Sequence, residues 1–358
     1  MAEPHGIEPP GTQPPGQDQR DKARSVPFPA GVIDGLLATA TRAPSILNTQ
    51  PWLFRVTTDT IELHPDRNRK LRCDLTSREM LISCGAALFG LRLAIRGIGY
   101  QPVVSLLPAA ERPDVLAVVR LGEPAPLTDA ERMMIGALPH RYTHRGAYAA
   151  GHLPQGLLVG LQHDAVAEHA ALAVVDQPAD YNRLAAIVAG AAGTLSADAR
   201  SRADVARWVR PPGSDARDGV PASAIPASAG RWPGRLVQRT LDRGKGTGMT
   251  PANPPGVPPA ATCILLTSAD TRADWLRAGQ ALHRILTHAA RYWVFATLYS
   301  QPFESGTTRA LIRSTLRVPG APHLLLQFGL VRTSMPTARR PATDVIVKER
   351  PGRPAPIG

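Results

Sequence analysis

One helix–strand pattern occurs twice in this chain of 358 residues, and any fold must accommodate both copies. The first opens at Thr76-Ser77-Arg78-Glu79, whose Thr-x-x-Glu spacing predicts a capping box. An apolar helix follows through Met80, Leu81, Cys84, Leu88, Leu91 and Ile95, with Gly85 and Gly90 as small contacts, then a buried strand over 115–121. The second copy has a strand at 264–266 and a helix start at Thr271-Arg272-Ala273-Asp274. Its helix carries Gly279-Gln280-Ala281-Leu282 where the first carries Gly85-Ala86-Ala87-Leu88. Residues 324–329 answer 117–122, and both lead into Pro/Thr segments, Pro126-Leu127-Thr128 and Pro336-Thr337. This order predicts a diverged tandem duplication whose halves meet near 127–137. Chance similarity between two ordinary helix–strand pairs is the alternative.

Composition narrows the class. Hydrophobic content of 43% and charged content of 20% support a sizeable core, and aromatic content of 5% makes that core largely aliphatic. The net charge of +12 invites a nucleic-acid reading, but the arginines are spread out, with no basic run interleaved with aromatics. Cys73, Cys84 and Cys263 are odd in number and lack Cys-x-x-Cys spacing, which argues against a disulfide framework or a zinc knuckle. No signal-peptide pattern opens the chain, and no uninterrupted apolar run reaches the ~18 residues of a membrane helix. The expectation is a cytoplasmic protein with no membrane or nucleic-acid partner.

Residues 1–29 read as a Pro/Gly-rich disordered leader and 349–358 as a flexible tail. Val32, Ile33, Leu36, Leu37 and Ala40 are spaced as a helix that Pro44 stops, and 53–56 with 61–63 read as a hairpin around Thr58-Asp59. Residues 211–260, rich in Pro, Gly, Ala, Ser and Arg, read as a lid-like insertion that Trp208 or Trp232 could anchor.

Four segments carry candidate binding chemistry. Ser45, Asn48, Thr49 and Gln50 lie in Pro44-Ser45-Ile46-Leu47-Asn48-Thr49-Gln50-Pro51-Trp52 and offer neutral donors and acceptors suited to a planar heteroaromatic ligand. A proline-rich turn satisfying its own backbone is the alternative. In His140-Arg141-Tyr142-Thr143-His144-Arg145, an extended backbone puts Arg141, Thr143 and Arg145 on one face, matched to a phosphate. A solvated basic strand is the bland reading. Arg339 and Arg340 follow the last predicted strand, and Pro302, Glu304 and Ser305 follow the second long helix. Rival motifs fail on spacing. Gly244-Lys245-Gly246-Thr247 is not a P-loop, His140/His144 lack a following Glu, and His283/His288 would not share a helix face.

The polar loop and the Arg-x-Thr-x-Arg segment resemble the flavin-contacting elements of the nitroreductase fold, most closely the Acg type of actinobacteria, over 32–347. The resemblance implies an α+β nitroreductase-like fold built as a pseudo-dimer, with 30–130 as the first half and 131–348 as the second. It implies FMN bound by Ser45, Asn48, Thr49, Gln50, Arg141, Thr143, Arg145, Pro302, Glu304, Ser305, Arg339 and Arg340, with no metal and no catalytic side chain. Ordinary nitroreductases build two flavin sites from two subunits. Here the polar loop occurs only in the first half and Arg-x-Thr-x-Arg only in the second, which implies one composite site. NAD(P)H would be the electron donor and a quinone, nitro-compound or other small molecule the acceptor. The alternative is an FMN store with a closed site and little turnover.

Overall fold

Two four-stranded antiparallel sheets share one strand order, first–second–fourth–third in each, and two long helices pack between them. The computed structural model describes residues 26–225, 236–239, 241 and 257–347. The leader 1–25, Trp232, most of the predicted lid, the 244–247 motif and the tail lie outside the described residues.

The first half runs α1 (Ile33–Ala40), β1 (Trp52–Val56), β2 (Ile61–Pro65), α2 (Arg78–Gly97), β3 (Tyr100–Leu106), β4 (Ala117–Pro124) and α3 (Asp129–Ala137). The predicted hairpin is β1–β2, with Val56 opposite Ile61. The predicted strand at 115–121 begins two residues later; Val115 N–H still closes the preceding turn on Arg112 O, while Leu116 already donates to Leu63 O of β2. The capping box at Thr76 does not form. Ser77 precedes α2 in the left-handed region at φ 66°, without a side-chain cap. Asp74 takes over by accepting the Met80 N–H at 3.0 Å, so a carboxylate six residues upstream satisfies a free helix-start donor. Boxes do form at Thr128/Glu131 and at Thr271/Asp274.

The second half runs α4 (Leu157–Ala167), β5 (Ala171–Val174), α5 (Pro178–Ala197), α6 (Ala199–Trp208), β6 (Val209–Arg210), β7 (Val220–Pro221), β8 (Ala261–Thr267), α7 (Arg272–Ala290), β9 (Val294–Tyr299), α8 (Gly306–Leu316) and β10 (Ala321–Leu330). The sheets are β1-β2-β4-β3 and β5-β8-β10-β9, so α2 and α7 occupy the same place between second and third strands. Residues 209–221 are not structureless as expected. β6 pairs with β7, and Trp208 is buried with Leu47, Leu71 and Val220.

α2 is long and apolar enough to span a membrane by length and composition, although Arg92 and Arg96 interrupt its apolar run, and 89% of its apolar window is buried. Its partner is α7, and the two helices meet backbone to backbone. A Cβ on Gly85 would collide with the Leu276 carbonyl, and one on Gly279 with the Ile82 carbonyl. Each glycine meets the residue three positions before the other, as an isologous contact requires. Residues 345–347 also return to the first sheet. Phe54 N–H donates to Val345 O at 2.7 Å, so the C-terminal segment lies along β1.

Candidate functional site

The loop leaving α1 is strained. Leu47, Asn48 and Gln50 have φ of 45°, 53° and 50°, a region costly for residues with a Cβ. Hydrogen bonds hold it there. Ser45 Oγ accepts the Gln50 N–H at 3.0 Å, Ser83 Oγ accepts the Ile46 N–H at 3.2 Å, and Trp52 is wholly buried at the loop's end. Such strain persists only where surroundings over-determine it, and it clusters at functional sites.

Against this loop lies a cleft of about 810 Å³, its open mouth included. Of the predicted residues, Ser45, Thr143 and Arg145 line it. Thr143 is brought there by a parallel bridge to Ala296 beside β9. The predicted alternation along 141–145 is not kept, since His144 lines the cleft and Arg141 does not. Asn48 and Gln50 instead act as staples. Asn48 Nδ2 donates to Gly219 O at 2.9 Å and Ala338 O at 3.3 Å. Gln50 Nε2 donates to Arg217 O at 2.7 Å, and its Oε1 accepts the Arg340 N–H at 2.8 Å. Asn48 Oδ1 and Thr49 Oγ1 remain buried without a hydrogen-bond partner.

Arg141 is the most unusual group. It is 3% exposed, and Nη2 donates to Arg42 O at 2.8 Å while Nε and Nη1 have no partner. Burial, then Arg339 and Arg42, push its pKa well below the ordinary guanidinium range. Burial pushes Arg145 down to about 10, and burial with Arg42 and Arg145 does the same to Arg339, whose Nε is also unpartnered. Among the described residues, the charged groups that shift Arg141 and Arg339 are all arginines. The unpartnered nitrogens of Arg141 and Arg339 are donors that an anion would satisfy. Arg340 differs, because Asp66, Asp344 and Asp218 partly offset its burial.

The 300–305 turn divides its residues. Ser300 and Gln301 line the cleft, whereas Pro302 is buried outside its lining and Ser305 caps α8 by accepting the Thr308 N–H. Glu304 forms an ion pair with Arg239 and accepts from Cys73 Sγ at 3.5 Å. Sequence reasoning missed the wall residues Glu79, Ser83, Gln238 and Arg239, as well as Arg42 and His283. Ser83 was the one signal available, a hydroxyl inside an apolar helix.

Glu79 is buried beside Arg78, and burial raises its pKa. Arg78 donates from Nη2 to His323 Nδ1 at 3.0 Å and to His323 O at 2.8 Å. His323 and His283 are both buried, and burial, reinforced by nearby arginines, pushes each pKa down to about 3. An unfolded imidazole titrates near ~6.5, so below that pH the unfolded chain binds protons that the folded chain refuses. Stability is therefore lost on acidification, by about 1.4 kcal/mol per pH unit for each histidine, until pH approaches the folded pKa. The urea midpoint of His283→Phe is expected to fall less steeply than wild type between these limits. Parallel pH profiles would contradict the assignment.

No family profile matches the sequence. A Mycobacterium tuberculosis H37Rv protein named "Putative NAD(P)H nitroreductase Rv3131" is 31% identical over 333 residues, covering 90% of this chain and 94% of that protein. The chain belongs to this nitroreductase family. Its relatives in the same organism include the acg protein, also named as an NAD(P)H nitroreductase, 27% identical over 321 residues, with 88% of this chain and 95% of that protein aligned. Rv3127, named as an uncharacterized protein, is 27% identical over 334 residues, covering 86% and 90%. A looser structural likeness is to a Desulfitobacterium hafniense nitroreductase with bound FMN, at TM-score 0.37 and 12% identity, over 61% of this chain and 98% of that one.

Proposed function

We propose that the chain is a fused pseudo-dimer holding one FMN in a composite cleft, and that it is an NAD(P)H-dependent reductase of small acceptors such as quinones or nitro-compounds. The buried Arg141 carries this reading, because a guanidinium with two unpartnered nitrogens and only arginines among the charged groups acting on it needs an anionic ligand. Arg141, Arg145 and Arg339 would hold the phosphate. Ser45 and the apolar walls at Ile46, Leu282 and Leu324 suit a flat ring system. Bound FMN would supply two-electron transfer between nicotinamide and acceptor, which no side chain here can perform. The matching strand orders and the reciprocal Gly85/Gly279 contact support the pseudo-dimer. Purified protein is expected to be yellow and to release one FMN per chain on denaturation. A colourless protein that does not take up added FMN would end this reading.

A store with a closed site is the second reading, and one observation favours it. Residues 236–239 are strapped beside the cleft, with Gln301 Nε2 donating to Val237 O at 2.8 Å, Tyr299 Oη to Leu236 O at 3.3 Å, and Arg239 paired with Glu304. Gln238 and Arg239 line the cleft. The strap is thus tied by its own contacts, and Leu241 just beyond it packs against the cluster that contains Trp208. The double variant Arg239→Ala/Glu304→Gln, which avoids leaving a buried charge unpaired, is expected to accelerate NAD(P)H oxidation at unchanged FMN content. Equal rates in variant and wild type would show that the strap does not limit access.

A further inference from the structure

His283 lies within electrostatic reach of Arg141 and Arg339, with one nitrogen unused. Its Nδ1–H donates to Ala86 O at 2.7 Å, which leaves Nε2 as a bare acceptor, wholly buried and without a partner. Phe89 of α2 packs edge-on against the ring at 5.3 Å. Gly90 allows the approach of a third element, since a Cβ there would sit 3.0 Å from Ala40 Cα and 3.3 Å from His283 Cε1. Arg141 and Arg339 are the charged groups that act on the ring, and neither hydrogen-bonds to it. On its own helix the nearest polar side chain, Thr287, spends its hydroxyl on the His283 carbonyl at 2.8 Å.

A buried acceptor beside buried, unpartnered guanidinium donors is a mismatch that a second proton resolves once negative charge arrives. We propose that His283 is a phosphate-binding residue that takes up a proton as the anion enters, donating from Nε2 as an imidazolium. The idea rests on the flavin reading for its ligand, a phosphate monoester dianion. Without negative charge beside it the ring stays neutral, because burial and two arginines oppose its charge. A dianion offsets both arginines, and the Ala86 carbonyl already favours the protonated ring. The position is specific to one half. The glycine correspondence places Phe89 where the second half has His283, so the titratable ring occurs only on the side that carries the arginines.

Calorimetric titration of the full unliganded chain with FMN in two buffers of different ionisation enthalpy counts the protons bound. At about pH 7.5 the free phosphate is already dianionic, since its second pKa is ≈ 6, so uptake reports the protein. Wild type is expected to take up close to one proton with FMN and none with riboflavin, which lacks the phosphate. His283→Gln is expected to bind FMN at least tenfold more weakly, with no uptake. FMN binding without uptake in wild type, or equal uptake in wild type and variant, would overturn the proposal. So would equal uptake with riboflavin. If His283→Gln does not fold, the FMN-against-riboflavin comparison on wild type decides alone. Absence of any FMN binding would instead overturn the flavin reading beneath it.

Discussion

Gly279→Ala is expected to destabilise the chain by about 3 kcal/mol or more, at the top of the range for overpacked cores. The new Cβ would overlap the Ile82 carbonyl and crowd Ala86 N at 2.7 Å and Gly85 Cα at 2.9 Å, and all three are backbone. A flexible side chain could swing aside, but a helix backbone moves only with its helix. α2 and α7 would have to separate, and both contribute cleft wall through Ile82, Ser83 and Leu282. Gly85→Ala should do the same, because its Cβ meets the Leu276 carbonyl in the reciprocal contact. Gly190→Ala in α5 is the control. Nothing lies within 4 Å of its Cβ, so alanine there should stabilise the helix by up to ~1 kcal/mol. Urea unfolding of the three variants measures the contrast. Tolerance of alanine at both Gly85 and Gly279 would mean the helices do not meet as described.

Arg141→Met is expected to separate stability from binding. Methionine fills similar volume without charge, so the unliganded protein should be at least as stable as wild type, because an unpaired buried cation is removed. FMN affinity should fall at least tenfold. Charge-assisted bonds contribute ~1.5–3 kcal/mol each, and Arg141 has two unpartnered nitrogens to offer. Urea midpoints and fluorescence titration of the unliganded chain with FMN read the two effects. A destabilised variant with wild-type affinity would make Arg141 a structural residue and empty the phosphate assignment.

The elements were legible where periodicity is local. The apolar spacing of 78–97 and the Thr271-x-x-Asp274 signal mark α2 and α7, because helix geometry repeats within a few residues. The cap of α2 was misread for the same local reason. Thr76 had the right spacing, but Asp74 reached the free N–H first. The matching Gly85 and Gly279 were visible as a repeated word, yet their meaning, two backbones in contact, required both helices in place.

The amino-acid sequence by itself determined which chemistry was available: neutral carboxamides and hydroxyls in one half, arginines in the other. Only the tertiary structure decided how each was used. Asn48 and Gln50 could serve a ligand or a backbone equally well, and the fold brought Gly219 and Arg340 to them from 171 and 290 residues away. No glycine announces the left-handed turns at Leu47, Asn48 and Gln50, since surrounding bonds impose them against local preference. Arg141 and Arg340 look alike in sequence. One is buried among cations and the other beside acids, because charge balance in a protein is set by which chains meet in space.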